Sequence, residues 1–248
     1  MRNEKSGPGL RRGEGVMRSG DGVMRGNDAV SPSRRRWTRF LATLGAAGAS
    51  GYLSELLAAG DLPPGLHRVD GKVSVNGRQA KSGAQVNMGD KVATGPGSTA
   101  VVVLKGDAML MRADTVVEIK GSSGLMHDLL ISTGRVLSVF SKKNVSVRAA
   151  NATIGIRGTG AYIEVLPGEV YFCLCYGEAV LAGPNMGDKT VVTRHHEQPL
   201  LLKESGGTMR TEPGGFRNHT DEELTMLEKL CGREPPFMKD GTYPLNKY

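Results

Sequence analysis

Between residues 65 and 203 the chain is broken by turn signals roughly every 8–12 residues, and that rhythm limits what it can fold into. The signals are Asp70-Gly71, Asn76-Gly77, Gly89-Asp90, Gly95-Pro96-Gly97, Gly106-Asp107, Gly121 to Gly124, Gly134, Gly158, Gly160, Pro167-Gly168, Gly177 and Gly183-Pro184. The runs between them predict strands at Lys72–Val75, Thr99–Leu104, Ala108–Met111, Val116–Ile119, Leu129–Ser132, Val136–Phe140, Val145–Arg148, Tyr162–Leu166, Val170–Tyr176, Ala179–Leu181 and Thr190–Thr193. Each is short, as strands joined by tight turns are. No helical stripe longer than about two turns interrupts them, which disfavours parallel crossover folds. Alternation marks half-buried strands: Val145 and Val147 share a face in Val145-Ser146-Val147-Arg148. The expected fold class is therefore all-β. Periodicity alone leaves a sandwich, a barrel and a coiled β-helix open.

Charge separates the chain into a basic leader and a neutral body. Residues 1–41 hold ten Lys/Arg against four Asp/Glu, and the remainder holds 22 against 21. The body shows no long cationic stripe of the kind phosphate-backbone binding needs, so no nucleic-acid partner is expected. Residues 1–33, rich in Gly, Arg and Ser, cannot bury enough surface to fold. Ser33-Arg34-Arg35-Arg36-Trp37-Thr38-Arg39 then precedes 15 uncharged, moderately apolar residues, Phe40 to Ser54. A basic cluster ahead of such a run is the layout of an export signal, the plainer alternative being an amphipathic N-terminal helix of a cytoplasmic protein. The run is shorter than the roughly 20 residues a membrane span needs. The pattern at Arg34, Arg35 and Arg36 resembles the twin-arginine signal, which implies a periplasmic destination. Residues 1–60 are thus expected to be a disordered leader and export signal.

Two sites in the body invite a chemical reading. Gly155-Ile156-Arg157-Gly158-Thr159-Gly160 has the glycines of a phosphate loop, but the strand-like Tyr162-Ile163-Glu164-Val165-Leu166 follows where such a loop needs a helix. A tight β corner is the better expectation. In Tyr171-Phe172-Cys173-Leu174-Cys175-Tyr176, Cys173 and Cys175 point to one side of a strand. With His195 or His196 they offer soft thiolates and an imidazole to zinc or copper(I). Adjacent residues of a strand face opposite ways, so only one histidine would readily join. The plainer alternative has the cysteines as small buried apolar residues and the histidines at the surface. With Cys231 the count is three: one disulfide from Cys231 to Cys173 or Cys175, or three free thiols, are both open. No nucleophile–base spacing stands out, so the chain is not expected to be an enzyme. No cofactor is expected either, a metal ion being the one exception these residues allow.

Near the end, Thr220-Asp221-Glu222-Glu223 is a capping box. Leu224, Leu227 and Cys231 follow along one side, and Gly232 fits the stop. The spacing predicts a helix over 221–231 within a C-terminal segment, 204–248. That helix packs on the β body or docks a partner.

Residues 89–182 resemble the FecR domain. Gly89-Asp90-Lys91-Val92-Ala93-Thr94-Gly95-Pro96-Gly97-Ser98 is similar to its opening. Ala100 to Leu104, the Gly106-Asp107 turn, Met109 to Arg112 and Thr115 to Ile119 are similar to its paired strands. Leu130-Ile131-Ser132-Thr133-Gly134-Arg135-Val136-Leu137 and Ala152-Thr153-Ile154-Gly155-Ile156-Arg157-Gly158-Thr159-Gly160-Ala161-Tyr162 look like its later motifs, with Gly155, Gly158 and Thr159 as structural signature residues. The resemblance implies a twisted, β-helix-like or β-sandwich domain over 65–203. It also implies a role in binding or signalling in the bacterial envelope, with another envelope protein or a cell-envelope ligand as partner. The best-known members relay outer-membrane transporter state to a sigma factor through a cytoplasmic segment and a membrane helix. No convincing version of either is readable here, so a stand-alone exported module is expected. The alternatives are a metal- or redox-handling envelope protein using Cys173 and Cys175, and a sigma-factor regulator.

Overall fold

Hairpins form where the sequence places a pair of residues that tolerate positive φ. Asn76-Gly77 joins β2 (Val73–Val75) to β3 (Arg78–Ala80) with φ of +52° and +77°, the twist that antiparallel strands require of a two-residue turn. The computed structural model describes residues 62–141 and 144–239. The leader with Arg34, Arg35 and Arg36 lies outside the described residues, as does the end of the C-terminal tail.

The other strands are β1 (Gly65–Asp70), β4 (Lys91–Thr94), β5 (Thr99–Leu104), β6 (Asp107–Met111), β7 (Val116–Ser122) and β8 (Leu125–Val139). They continue with β9 (Asn144–Ala149), β10 (Ala152–Leu166), β11 (Glu169–Gly183), β12 (Met186–Thr193), β13 (Leu200–Ser205) and β14 (Thr208–Pro213). All belong to one open hydrogen-bonded network, so the all-β expectation holds. Its details differ from the sequence reading. Leu129–Ser132 and Val136–Phe140 are two parts of β8, and Val170–Tyr176 and Ala179–Leu181 are two parts of β11. β1, β3, β4, β13 and β14 were not predicted, and strands run past residue 203 to Pro213.

β8, β10 and β11 are each 15 residues long because each changes partners halfway. β10 pairs with β9 from Ala152 to Arg157 and with β8 from Gly160 to Val165. The change falls at Gly158, φ +62°, where Gly158 and Thr159 together face Gly177 of β11. The glycine-rich motif is therefore a strand corner. A Cβ on Gly160 would come within 2.7 Å of the Tyr176 ring, whereas one on Gly155 would meet nothing closer than 3.7 Å. Asp128–Ile131 of β8 and Ser146–Ala149 of β9 run parallel, so the chain completes one coil between them.

The coil has two buried faces. Ile163, Phe172 and Leu174 face the main core with Met109, Ile119 and Ile154. The alternate residues Tyr162, Glu164, Tyr171, Cys173 and Cys175 are equally buried on the opposite face. Burial on both sides explains the unbroken apolar run 170–176. The C-terminal segment covers that second face. Tyr171 donates its hydroxyl to the Gly215 carbonyl, and α1 (Asp221–Leu230) packs against β6 and β8. A short α2 (Pro236–Lys239) seats Phe237 beside Tyr176.

α1 starts as its capping box predicts: Glu223 N donates to Thr220 Oγ1, and Thr220 N donates to Glu223 Oε2. Gly232, φ +67°, follows its C-cap. Glu223 also pairs with Arg112 at 2.7 Å, while Tyr176 and Arg233 both donate to Glu228. Of the two expectations for this helix, packing on the β body is the one observed. Thr220→Ala is expected to cost about 1 kcal/mol in urea unfolding, the usual worth of an N-cap hydroxyl. An unchanged midpoint would show that the tertiary anchors alone hold the helix.

Candidate functional site

The second face of β11 is where the polar chemistry collects. Cys173 and Cys175 project from it with no exposed surface. His196 stands in the bend after β12 with φ +48°, and His219 lies two residues before α1. Both imidazoles are buried, His196 at 3% and His219 at 1% exposure. One donor atom from each of the four residues can be chosen so that all lie within 4.8 Å of one another. Cys173 Sγ is 3.4 Å from His196 Nδ1, and that nitrogen is 3.2 Å from His219 Nε2.

The outer nitrogens of the two rings are committed elsewhere. His219 Nδ1 is 2.8 Å from the Arg217 carbonyl, which can only accept, so this nitrogen carries the proton. His196 Nε2 donates to Asp221 Oδ1 at 3.1 Å. Stacking on Tyr162 at 4.5 Å between ring centroids holds His219 flat, and Phe216 flanks both rings. His195 takes a different path: its Nε2 donates to the same Asp221 oxygen at 2.8 Å, and its ring packs on Phe237.

Charges in the cluster are mutually adjusted. Hydrogen bonding from the Cys175 thiol, aided by His196 and His219, holds the Cys173 thiol well below its ordinary range against the opposing effect of burial. Burial and the neighbouring Cys173 push Cys175 the other way. For His196 burial disfavours the charge, but Asp221 and Cys173 outweigh it and raise the pKa. Asp221 is likewise opposed by burial, and the His195 and His196 hydrogen bonds hold it well below the usual carboxylate range.

Of the residues singled out in the sequence, Cys173, Cys175 and His196 come together. His195 does not join the thiols, so one of the adjacent histidines reaches them. The histidines are not at the surface, because the C-terminal segment buries them. His219 was missed: it lies 23 positions after His196, and its one local signal is its place just before the capping box. All three cysteines are free. Cys231 ends α1 apart from the cluster, and burial pushes its thiol up to about 12.

Cys173, His196 and Asp221 stand in the order of a thiol–imidazole–carboxylate triad. A triad needs a nucleophile that substrate can reach, and Cys173 is wholly enclosed with His219 close to its imidazole partner. An open groove of about 390 Å³ lies elsewhere, lined by residues of β9, β10 and β11 that include Ser146, Gly155, Arg157, Glu178 and Val180. The cluster's donor set, two sulfurs and two imidazole nitrogens, has the composition of a metal-holding site.

No family model matches the chain, and no curated protein matches its sequence. Among the solved structures similar to the chain are two from Parabacteroides distasonis, both provisionally described as an anti-sigma factor. Each is 12% identical to this chain. One match covers 56% of this chain and 64% of the other, with a TM-score of 0.44. The second covers 57% and 73%, with a TM-score of 0.43. The chain thus spans just under two thirds of the first of these structures.

Proposed function

We propose that the chain is an exported, FecR-like β module of the bacterial envelope that binds a partner and signals rather than catalyses. The observation that carries the non-catalytic part is the enclosure of its polar constellation. The groups that could act as nucleophile, base and orienting acid are committed to one another and to the C-terminal segment, beneath Phe216 and Phe237. Such a centre holds a conformation and offers no substrate an approach. The four FecR-like motifs fall in order along β4 to β10, with the most specific one at the β10 corner, which supports the family reading. Among the described residues, no helix is long and apolar enough to cross a membrane.

In-cell crosslinking of the full chain, followed by fractionation, tests this reading. The expected product is a periplasmic chain joined to one stoichiometric envelope component. Replacing Arg34, Arg35 and Arg36 with Lys is expected to leave the chain in the cytoplasm. A native chain found only in the cytoplasm, or one that stays partner-free in the envelope fraction, would overturn the proposal.

A further inference from the structure

We infer that Cys173, Cys175, His196 and His219 form a closed tetrahedral zinc site that clasps the C-terminal segment to the second face of the β coil. The inference stands on the cluster's geometry and is independent of which partner the module binds.

The first support is distance. With Zn–S of about 2.3 Å and Zn–N of about 2.05 Å, a tetrahedron has S···N edges of about 3.6 Å and N···N edges of about 3.3 Å. The Cys173 Sγ to His196 Nδ1 separation is 3.4 Å and the His196 Nδ1 to His219 Nε2 separation is 3.2 Å. Two of the six edges of such a polyhedron therefore already have the required length, and Cys175 brings its donor within 4.8 Å of the other three.

Lone-pair direction is the second support. The His219 Nδ1 proton is given to the Arg217 carbonyl and the His196 Nε2 proton to Asp221. In their neutral forms, Nε2 of His219 and Nδ1 of His196 then turn lone pairs toward each other and toward Cys173 Sγ. Two lone pairs facing each other at 3.2 Å need a cation between them. An extra proton can bridge one such edge, whereas a metal ion serves all four donors. Histidine ligands are commonly fixed by a carboxylate or a backbone carbonyl on the far nitrogen, and here each imidazole has one of the two.

Charge and softness choose the ion. A set of two thiolates and two imidazoles selects zinc or copper(I) over hard cations. Two thiolates and Zn²⁺ sum to zero, and neutrality matters where all four donor residues are buried. The neighbouring trio His195, His196 and Asp221 is also compact, but its two imidazole N–H groups converge on one carboxylate oxygen, so hydrogen bonds already satisfy it. Four protein ligands leave no open coordination position, which marks a structural site. Its ligands come from β11, the bend after β12 and the segment entering α1, so the ion would tie three separate stretches of chain.

The test uses the full chain, purified with a thiol reductant and without added chelator, and reads metal by mass spectrometry. The expected content is about one zinc per chain. Cys173→Ser and His219→Gln are expected to abolish it, and Cys231→Ser to leave it unchanged. Asp221→Asn should weaken zinc binding by about 10–100-fold through loss of the histidine's orienting partner. After chelation, added cobalt(II) should bind and produce thiolate charge-transfer and tetrahedral ligand-field bands that the zinc form lacks. Amide exchange should quicken at 194–197 and 214–221 on chelation while the Thr99–Met111 hairpin stays protected. If Cys173→Ser fails to fold, His219→Gln and the wild-type cobalt spectrum decide. A chelated wild-type chain that takes up neither zinc nor cobalt would overturn the inference. So would zinc retained in both ligand variants, stoichiometric copper in place of zinc, or exchange in 214–221 that ignores the metal.

Discussion

Gly134→Ala is expected to cost on the order of 3–5 kcal/mol, a large part of the stability of an ordinary domain. Gly134 has φ +94°, which L side chains rarely adopt. An added Cβ would collide with Oγ1 and Cα of Thr115 and lie 2.7 Å from the Asp114 carbonyl. Two of those three contacts are with backbone, so no side-chain rotation relieves them. Thr115 is itself fully buried, and its Oγ1 accepts from Arg135 N at 2.9 Å. The clash thus reaches the hydrogen bonding that seats the second half of β8. Gly155→Ala is the control: its Cβ has 3.7 Å of clearance and its effect is expected within about 0.5 kcal/mol. Urea unfolding of both variants decides. Equal losses, or a Gly134→Ala loss under about 1 kcal/mol, would mean that β8 can reroute its bend.

Glu164→Leu is the second large effect, expected at about 2–4 kcal/mol, because two donors lose their acceptor inside the protein. Glu164 is 2% exposed. Its Oε1 accepts from Tyr162 Oη at 2.7 Å and from Asn218 Nδ2 at 2.6 Å, and its Oε2 pairs with Arg217 at 3.0 Å. Leucine would fill the space but leave the tyrosine hydroxyl and the amide without that acceptor inside the protein. Glu164→Gln keeps an acceptor oxygen and is expected to lose less. Because Arg217 and Asn218 flank the approach to His219, the Leu variant should also speed amide exchange in that segment. A Leu variant as stable as the parent would show that the network relaxes to water.

How much of this was legible beforehand follows the range of each interaction. The helix was readable because Thr220 and Glu223 bond each other across three residues. The hairpin of Thr99–Leu104 with Asp107–Met111 was readable because its turn and both strands are contiguous. β8 and β11 were read as two pieces apiece because a change of partner interrupts the alternation without ending the strand. β14, Thr208–Pro213, went unread because its sequence is mostly polar and it gains strand form by pairing with β13.

The cysteine pair occupies the boundary between these cases. Alternation along a strand put Cys173 and Cys175 on one side, and that much the residues determined alone, together with the all-β class and the cap of α1. Which face that side became, and whether it was wet or dry, depended on the C-terminal segment folding back across β8, β10 and β11. Only that tertiary contact brought His219 to His196, turned His195 away to Asp221, and buried both rings. Local periodicity reports where a side chain points relative to its own strand. It carries no information about which distant segment will cover it, because that choice is made by packing and hydrogen-bond satisfaction over the whole fold.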